Sequence, residues 1–406
     1  MVFSLSILMA TSFSIENPTT LLEITTRPYL YLLSRKYGKD ITKISQIPTT
    51  EFDEWQSQGF KWVWFMGIWQ LGEYGLKHDL TDQGLINSYN EVLPGWTEDD
   101  VIGSPYCVVS YTVNSAIGDE DDLKWLRQQL NSRGMKLMVD FVPNHSAVDA
   151  PEVESTPSFY IRAPEGTTPD PSKYLSNGVA YGCGMWCSPW TDVAQLNYMD
   201  QDFRNNRISV LKKIASLADG MRCDMAHLIL NDNFWSYWEQ ELQSWGYSKL
   251  TNEFWTEAIS AVKNEYPDCL FMAESYGDVL YQLHQCGFDY TYNKDLMDYL
   301  RDNKINEFKS FVQYTDRDYF NHLAHFTENH DEDRSVSTFG SVKRANAAAA
   351  ALLTLPGLRF VNQDQWNGYS RKIDVHLRRA ISENPNGDAV YFLSSFIKCN
   401  EERSCK

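Results

Sequence analysis

Short apolar segments alternate with amphipathic segments along almost the whole chain. The segment Phe60–Trp69 is apolar, aromatic and preceded by Gly59, which predicts a buried strand. Asp119 has the character of a helix N-cap, leucines recur after it at helical spacing, and Gly134 is expected to end that helix. The apolar segment 136–142 then predicts the next strand. This part of the chain therefore predicts one β-α-β unit.

The same alternation predicts about eight strands separated by helices. Eight such units in a chain of 406 residues favour an α/β fold of the (β/α)8 TIM-barrel type over a doubly wound sheet. No Gly-x-Gly-x-x-Gly motif follows the first predicted strand and no Gly-Lys-Ser/Thr loop is present, which weighs against nucleotide-binding folds. The predicted strands are 60–69, 108–113, 136–142, 221–224, 269–274, 288–292, 322–327 and 358–361.

Residues 146–200 interrupt this alternation. The segment is rich in Pro, Ser, Gly and Tyr, has no clear helical pattern and is too long for an ordinary loop after a strand. It is predicted to be a small insertion over the barrel mouth, the face where the strands end. The expected organisation is an N-terminal extension over 1–26 and a barrel built from 27–145 and 201–406.

Charge and composition narrow the class of partner. The chain has 54 acidic and 36 basic residues, a net charge of -18, which disfavours binding to nucleic acid or to an anionic membrane. No apolar run is long enough to span a bilayer, so a soluble protein is expected. The N-terminal MVFSLSILMATSFS has no basic leader; it reads as a weak signal peptide or an ordinary segment, and the cytoplasm is favoured over secretion.

The eight cysteines are dispersed rather than set in a dense framework. Their disulfide pairing cannot be read from the sequence. Cys183-Gly-Met-Trp-Cys187 has no second cysteine pair or histidine at zinc spacing, which weighs against a metal site there.

Polar side chains follow several of the predicted strands, and in a (β/α)8 barrel such positions form the active-site face. Asp224 and Glu274 end neighbouring strands about 4.8 Å apart. Their carboxyl groups are therefore expected roughly 5 Å apart, the spacing of a retaining glycosidase. Arg222, two residues before Asp224, would keep this nucleophile ionised, and apolar residues 271–273 favour a protonated Glu274 as general acid. The other polar residues at strand ends are Asp140, Asn144, His145, Asn329, His330 and Asp331.

The chain resembles the alpha-amylase family of glycoside hydrolases, which has four short motifs in a fixed order. The resembling segments are Val139-Asp-Phe-Val-Pro-Asn-His145, Gly220-Met-Arg-Cys-Asp-Met225, Ala273-Glu274 and Phe326-Thr-Glu-Asn-His-Asp331. In addition, 103–111 resembles the family's second-strand motif, and Gln195-Leu-Asn197 resembles its short motif in the insertion. The resemblance extends over roughly residues 27–380 and implies a (β/α)8 barrel.

The resemblance implies a role for each polar residue of the mouth. Asp224 would be the nucleophile, Glu274 the acid/base and Asp331 the stabiliser of the transition state. The implied substrate is an α-linked glucoside or glucan, and no cofactor is implied for the chemistry. A structural Ca²⁺ is implied, with Asn144 as a ligand. The residues implied to bind the sugar are Tyr106, by stacking, together with His145, Arg222 and His330.

Departures from the family leave alternatives open. Met225-Ala-His-Leu228 stands where many members carry Lys-His, which bears on the acceptor side, and Gln195 stands where an Asp calcium ligand is common. Most members append a β-sandwich, whereas this sequence ends near the eighth helix, being naturally short or incomplete. Hydrolysis is expected, with glucosyl transfer or sucrose or trehalose conversion as alternatives. An inactive amylase-like binding or scaffold protein is an alternative of another class, against which the three intact carboxylates argue.

Overall fold

The computed structural model of the protein describes residues 19–184, 188–389 and 392. The strands are β1 (Thr20–Thr25), β2 (Trp62–Met66), β3 (Trp69–Leu71), β4 (Val108–Val113), β5 (Lys136–Phe141), β6 (His145–Ala147), β7 (Tyr181–Cys183), β8 (Pro189–Gln195), β9 (Gly220–Cys223), β10 (Leu270–Ala273), β11 (Tyr290–Tyr292), β12 (Leu323–His325) and β13 (Leu358–Asn362). The α-helices are α1 (Thr26–Tyr37), α2 (Thr49–Gln58), α3 (Glu73–Asp79), α4 (Gln83–Val92), α5 (Glu120–Asn131), α6 (Pro151–Ser155), α7 (Gln201–Leu217), α8 (Asn231–Ser244), α9 (Phe254–Lys263), α10 (Leu280–Gln285), α11 (Lys294–Arg301), α12 (Ile305–Tyr314), α13 (Arg317–Phe320), α14 (Ser335–Thr338) and α15 (Val342–Leu353).

Within this described part, eight strands close into a barrel in the order β1, β2, β5, β9, β10, β11, β12, β13. Every neighbouring pair is parallel. The predicted (β/α)8 barrel is therefore confirmed. Because the strands are parallel, all of their C-terminal ends meet at the barrel mouth, where loops deliver the functional side chains of such folds.

The first barrel strand lies earlier in the chain than expected. β1 is buried along its whole length and pairs with β2 on one side and β13 on the other. The predicted N-terminal extension over 1–26 is therefore wrong for residues 20–26, which belong to the barrel and its first helix; residues 1–18 lie outside the described part.

The predicted second strand, β4, is not a barrel strand. The apolar segment 60–69 divides at Gly67, which has a φ of 76°, so β2 stays in the barrel and β3 leaves it. β4 pairs with β3 in an antiparallel ribbon beside the mouth. The pattern of apolar residues was strand-like in both cases, but it did not specify which strand would be the partner.

Helix α5 illustrates how the sequence specifies the outer layer. The Asp119 side chain accepts hydrogen bonds from the backbone amides of Asp121 and Asp122, so the predicted N-cap is confirmed. The leucines at helical spacing, Leu123, Leu126 and Leu130, are fully buried against the barrel. Burying side chains of this type contributes roughly 1.5–3 kcal/mol each.

A small three-stranded sheet follows the C-terminal end of β5. Its order is β6-β8-β7 with antiparallel pairs, and the chain then enters α7 and returns to the barrel at β9. The segment between Cys183 and Cys187 includes residues 185–187, which lie outside the described part, so the prediction against a metal there stays a prediction. None of the helices in the described ranges combines the length and hydropathy of a membrane span.

Candidate active site

One guanidinium connects the two carboxylates that the sequence predicted as a pair. Strands β9 and β10 are neighbours with Cys223 opposite Ala273, so the next residue of each strand leaves the barrel at the same level. Arg222 Nη1 lies 2.7 Å from Asp224 Oδ1, and Arg222 Nη2 lies 2.6 Å from Glu274 Oε2. Asp224 and Glu274 therefore face each other across a single cation.

Arg222 is fully buried, which is costly for a charge unless it is paired. Its guanidinium carbon lies 5.1 Å from the ring centres of Trp64 and Tyr106 and 5.7 Å from that of Tyr292. Aromatic faces attract a cation, so the surroundings fix the plane of the guanidinium as well as its charge. The two carboxylates are held by a rigid group.

Two hydrogen-bond donors converge on Glu274, in addition to its ion pair with Arg222. The backbone amide of Met225 donates to Oε2 over 2.8 Å, and the Tyr276 hydroxyl donates to Oε1 over 2.7 Å. Met225 has a φ of 39°, in the left-handed region that non-glycine residues rarely adopt. Backbone strain of this kind typically costs about 1–3 kcal/mol, and here it aims an amide at the carboxylate.

The surroundings of Asp224 affect its pKa in two opposing ways. Burial first, and then the nearby Glu274 carboxylate, raise the pKa of Asp224 to about 8, and the Arg222 cation only partly opposes them. We expected Arg222 to keep Asp224 ionised, with the proton on Glu274. Arg222 does pair with Asp224 over 2.7 Å, but burial opposes the ionised form of that carboxyl. The assignment of Asp224 as nucleophile and Glu274 as acid/base stays a prediction.

His330 links the seventh barrel strand to the first. Its Nδ1 lies 2.6 Å from Oε1 of Glu23 on β1, and its Nε2 lies 3.1 Å from Oδ2 of Asp331 and 2.9 Å from the Tyr106 hydroxyl. Burial alone would lower the pKa of His330, but Asp331 and Glu23 outweigh burial and raise it to about 10. The imidazolium is therefore the ordinary form near neutral pH.

Asp331 faces the open mouth, with 48% of its side chain exposed. Partial burial opposes ionisation of its carboxyl, yet the adjacent His330 imidazolium and then Arg222 hold its pKa below the usual range. The Lys372 ammonium also donates to the backbone carbonyl of Asp331. Asp331 thus presents a stable negative charge to whatever enters the mouth.

Asp140 is held by hydrogen bonds at the end of its strand. Its carboxylate accepts hydrogen bonds from the Trp64 indole over 3.2 Å and from the Gly67 backbone amide over 2.8 Å. It lies 3.9 Å from Arg222 Nη1, and burial raises its pKa to about 6. It therefore fixes the turn after β2 beneath the catalytic face.

His145 is neutral and lies at the side of the mouth formed by the small sheet. Its ring centre is 5.5 Å from that of Trp190, in an edge-on arrangement. Burial lowers the pKa of His145 to about 4, against the opposing effects of Asp192 and of a hydrogen bond to the Tyr106 backbone. A neutral imidazole can both donate and accept a hydrogen bond.

Asn144 and Gln195 are joined directly by their amide groups. The Gln195 Nε2 donates to Asn144 Oδ1 over 3.0 Å and to the Asn144 backbone carbonyl over 2.9 Å. In turn, the Asn144 Nδ2 donates to the Cys183 carbonyl over 3.2 Å, and the Cys183 amide donates to Gln195 Oε1 over 3.3 Å. Each of the two side-chain amide oxygens already accepts a hydrogen bond from an N–H group, and the Gln195 Nε2 group faces Asn144 Oδ1.

The six other predicted site residues form one connected cluster. Arg222 contacts Asp224 and Glu274 directly and the ring of Tyr106, which reaches Asp331 through His330. Sequence reasoning missed two members, Glu23 and Tyr276. The buried TLLEIT run around Glu23 was the available signal for a strand carrying a charge, and Tyr276 follows Glu274 by two residues.

The site cluster, the barrel and a comparison with protein families all indicate the same family. The model of the alpha-amylase catalytic domain matches residues 105–386, which is more than half of the chain. The chain therefore belongs to the alpha-amylase family. The fold and the motif-bearing mouth thus define an alpha-amylase-type glycoside hydrolase domain. Members of this family require no cofactor for their chemistry.

Relatives in other organisms are distant. An alpha-amylase of Haloarcula japonica is 26% identical over 265 residues, covering 61% of this chain and 34% of that protein. Alpha-amylase 3 of Dictyoglomus thermophilum is 24% identical over 278 residues, covering 62% of this chain and 51% of that protein. The chain thus spans about a third to a half of the length of these curated relatives.

A solved alpha-amylase from Lactobacillus plantarum shares the fold. The two superpose with a TM-score of 0.68 at 20% sequence identity, and the match covers 95% of this chain and 80% of that one. At this identity the likeness establishes the architecture alone. What the chain does must be argued from its own residues.

Proposed function

We propose that the chain is a retaining α-glycoside hydrolase that acts on α-linked glucosides or glucans by double displacement. The observation that carries the proposal is the Arg222 guanidinium, which holds Asp224 and Glu274 at 2.7 Å and 2.6 Å from its two terminal nitrogens. Two carboxylates that share one guanidinium at the ends of neighbouring strands form a compact pair. A compact pair suits the nucleophile and the acid/base of a retaining enzyme rather than the wider pair of an inverting one.

In the first step, Asp224 attacks the anomeric carbon and forms a covalent glycosyl-enzyme. The bond from that carbon to the leaving oxygen breaks, and Glu274 gives its proton to the oxygen. In the second step, Glu274 takes a proton from water, the water oxygen bonds to the anomeric carbon, and Asp224 leaves as a carboxylate. Two inversions restore the α configuration.

The first step requires an ionised Asp224 and a proton on Glu274. Burial raises the pKa of Asp224 to about 8, so a bound sugar must favour the ionised form of Asp224, which Arg222 pairs over 2.7 Å.

The remaining residues would bind the sugar around this pair. Asp331, exposed and held ionised by His330, would accept hydrogen bonds from sugar hydroxyls and stabilise the positive charge that develops on the ring. His330 would donate to the same sugar, and the ring of Tyr106 would provide a stacking face. The neutral His145, beside Trp190, would contact the sugar from the small sheet. Residues 146–200 would thus be an insertion that forms one side of the barrel mouth.

The configuration of the first product tests the retaining mechanism. With a maltooligosaccharide as substrate, the proposal expects the α anomer to appear first and then to mutarotate. Proton NMR of the anomeric signals during the first minutes measures this directly. An initial β anomer would exclude a double displacement by Asp224 and Glu274. A parallel panel of maltooligosaccharides, sucrose, trehalose and isomaltose would separate hydrolysis from transfer to a sugar acceptor.

We further propose that no calcium ion binds between Asn144 and Gln195. A cation needs oxygen ligands, whereas Gln195 turns its amide nitrogen toward the Asn144 side-chain oxygen. The direct hydrogen bonds connect the end of β5 to the small sheet, which is the connection that a metal would otherwise make. The residues present therefore do not fit the ion that the resemblance implied.

The Gln195→Asp variant tests this idea. The substitution removes the hydrogen bonds to Asn144 and from Cys183, so the free energy of unfolding should fall by about 1–3 kcal/mol in chelator. It also supplies a carboxylate oxygen, so Ca²⁺ should restore part of the loss by binding the folded state. Thermal unfolding with chelator and with Ca²⁺ measures both effects.

Gln195→Asn is the matched control for that experiment, because it has the size of Asp without the charge. It should be destabilised in the same way and gain nothing from Ca²⁺. The unsubstituted chain should unfold at the same temperature with chelator and with Ca²⁺. A clear Ca²⁺-induced rise in the unsubstituted chain would show that a calcium site exists despite Gln195.

A further inference from the structure

Two histidines and a carboxylate meet at the end of the barrel opposite the mouth. His284 lies in α10, Asp318 lies in α13, and His322 precedes β12. One ring nitrogen of each histidine and one carboxylate oxygen of Asp318 lie within 4.8 Å of one another. Because β12 begins just after His322 and delivers His330 and Asp331 from its other end, this cluster is separated from the candidate active site by the length of the strand.

The geometry of the two rings favours a ligand between their nitrogens. The ring centres of His284 and His322 are 4.2 Å apart at an interplanar angle of 35°. A single ion beside rings this close can reach one nitrogen of each, because the ligand atoms of the cluster lie within 4.8 Å of one another.

His322 has its coordinating nitrogen selected by a backbone contact. Its Nδ1 lies 2.9 Å from the carbonyl oxygen of Asp289, and a carbonyl can only accept, so Nδ1 carries the proton. The Nε2 lone pair is then free for a cation. A ligand histidine whose second nitrogen donates to a carbonyl is the usual outer-shell arrangement of protein metal sites.

His284 provides an independent indication. Its Nδ1 atom is buried and makes no hydrogen bond of good geometry within the described part of the chain, although the backbone of Phe288 lies close to the ring. Neither the barrel nor the proposed reaction uses this ring. Asp318 is exposed on the outer side of the cluster, which gives an ion a path from solvent and an anionic oxygen at the entrance.

We propose that His284, His322 and Asp318 bind one divalent transition-metal ion, with Zn²⁺ as the best match. Two imidazole nitrogens and one carboxylate oxygen form a ligand set that suits Zn²⁺ and related ions, and not Ca²⁺ or Mg²⁺, which prefer oxygen alone. Three protein ligands leave a fourth position for water. The ion would clamp α10 to the turn between α13 and β12, a structural role at the base of the barrel.

Binding of Co²⁺ and Zn²⁺ to the full chain tests the site. After chelator treatment and dialysis, titration with Co²⁺ should give visible absorption bands that saturate at about one equivalent, and Zn²⁺ should displace them. The Asp318→Asn variant should bind Zn²⁺ at least about tenfold more weakly, and His284→Gln should lose the bands. Zn²⁺ should raise the unfolding temperature of the unsubstituted chain and leave that of His284→Gln unchanged.

The matched control is His78→Gln. His78 is another part-buried histidine beside a carboxylate, with its Nδ1 3.2 Å from Asp79 Oδ1, but it has no second imidazole in contact. This variant should bind Co²⁺ as the unsubstituted chain does.

Asp318→Asn alters an exposed side chain and should keep its unfolding temperature in chelator, so a folding defect cannot imitate the result. Absence of a Co²⁺ equivalent, or equal binding by Asp318→Asn, His284→Gln and the unsubstituted chain, would overturn the proposal. Because the site is remote from the mouth, sugar release by Asp318→Asn should stay normal, and the two proposals can fail separately.

Discussion

The Glu274→Gln variant is expected to cleave an α-1,4-linked oligoglucoside about 10²–10⁴-fold more slowly than the unsubstituted chain. The amide has the shape of the carboxyl. Its oxygen can still accept a hydrogen bond from the Met225 amide, and its NH2 group can donate to the Tyr276 hydroxyl oxygen, so both contacts that hold Glu274 have a counterpart. It cannot give a proton to the leaving oxygen or take one from water. The rate of reducing-sugar release at saturating substrate measures the effect.

An activated substrate separates loss of acid catalysis from loss of structure. An aryl α-glucoside with a good leaving group needs little protonation, so the first step of Glu274→Gln should be nearly normal on it and a burst of phenol should appear. Glu73→Gln, at a side chain that is 88% exposed, is the control and should keep full activity on both substrates. Near-normal turnover of the oligoglucoside by Glu274→Gln would remove Glu274 from the acid/base role.

The barrel was predictable from sequence because its helices and most of its strands have their own local signals. Leu123, Leu126 and Leu130 fix the buried face of α5, and the Asp119 cap fixes where it begins. The strand pairing was less predictable, because a strand pattern shows that a segment is half or fully buried and not what lies beside it. β4 was therefore predicted to be a barrel strand, although it pairs with β3 outside the barrel.

The adjacency of Asp224 and Glu274 was predictable because consecutive parallel strands deliver their last residues at one level. The role of Glu23 was not, since its partner His330 is 307 positions away in the chain. Glu23 interrupts the apolar run of β1, and its carboxyl is buried because it pairs with the His330 ring. The left-handed backbone at Met225, which directs its amide at Glu274, was equally hidden in the sequence.

The Asp224→Asn variant is expected to lose turnover and to gain stability. The carboxyl titrates near 3.8 when unperturbed, and its pKa is raised to about 8 in the fold. Between these values the unfolded chain releases the proton and the folded chain retains it, so the free energy of unfolding falls as pH rises from about 4 to about 8. An amide does not titrate and avoids this loss. We expect Asp224→Asn to gain about 1–2 kcal/mol at pH 8, the size of a typical stabilising substitution.

Unfolding temperatures of both proteins at about pH 4.5 and about pH 8 measure this dependence. The gain in unfolding temperature of Asp224→Asn over the unsubstituted chain should be small at about pH 4.5 and larger at about pH 8. Arg222 keeps acidic neighbours in this variant, because Glu274, Asp140 and Asp331 still surround it. Asp232→Asn makes the same chemical change on a side chain that is 79% exposed, and its effect should not grow with pH in this way. If Asp224→Asn were instead less stable at pH 8 than at pH 4.5 relative to the unsubstituted chain, the pairing with Arg222 would outweigh burial. Asp224 would then be ionised without any help from the substrate.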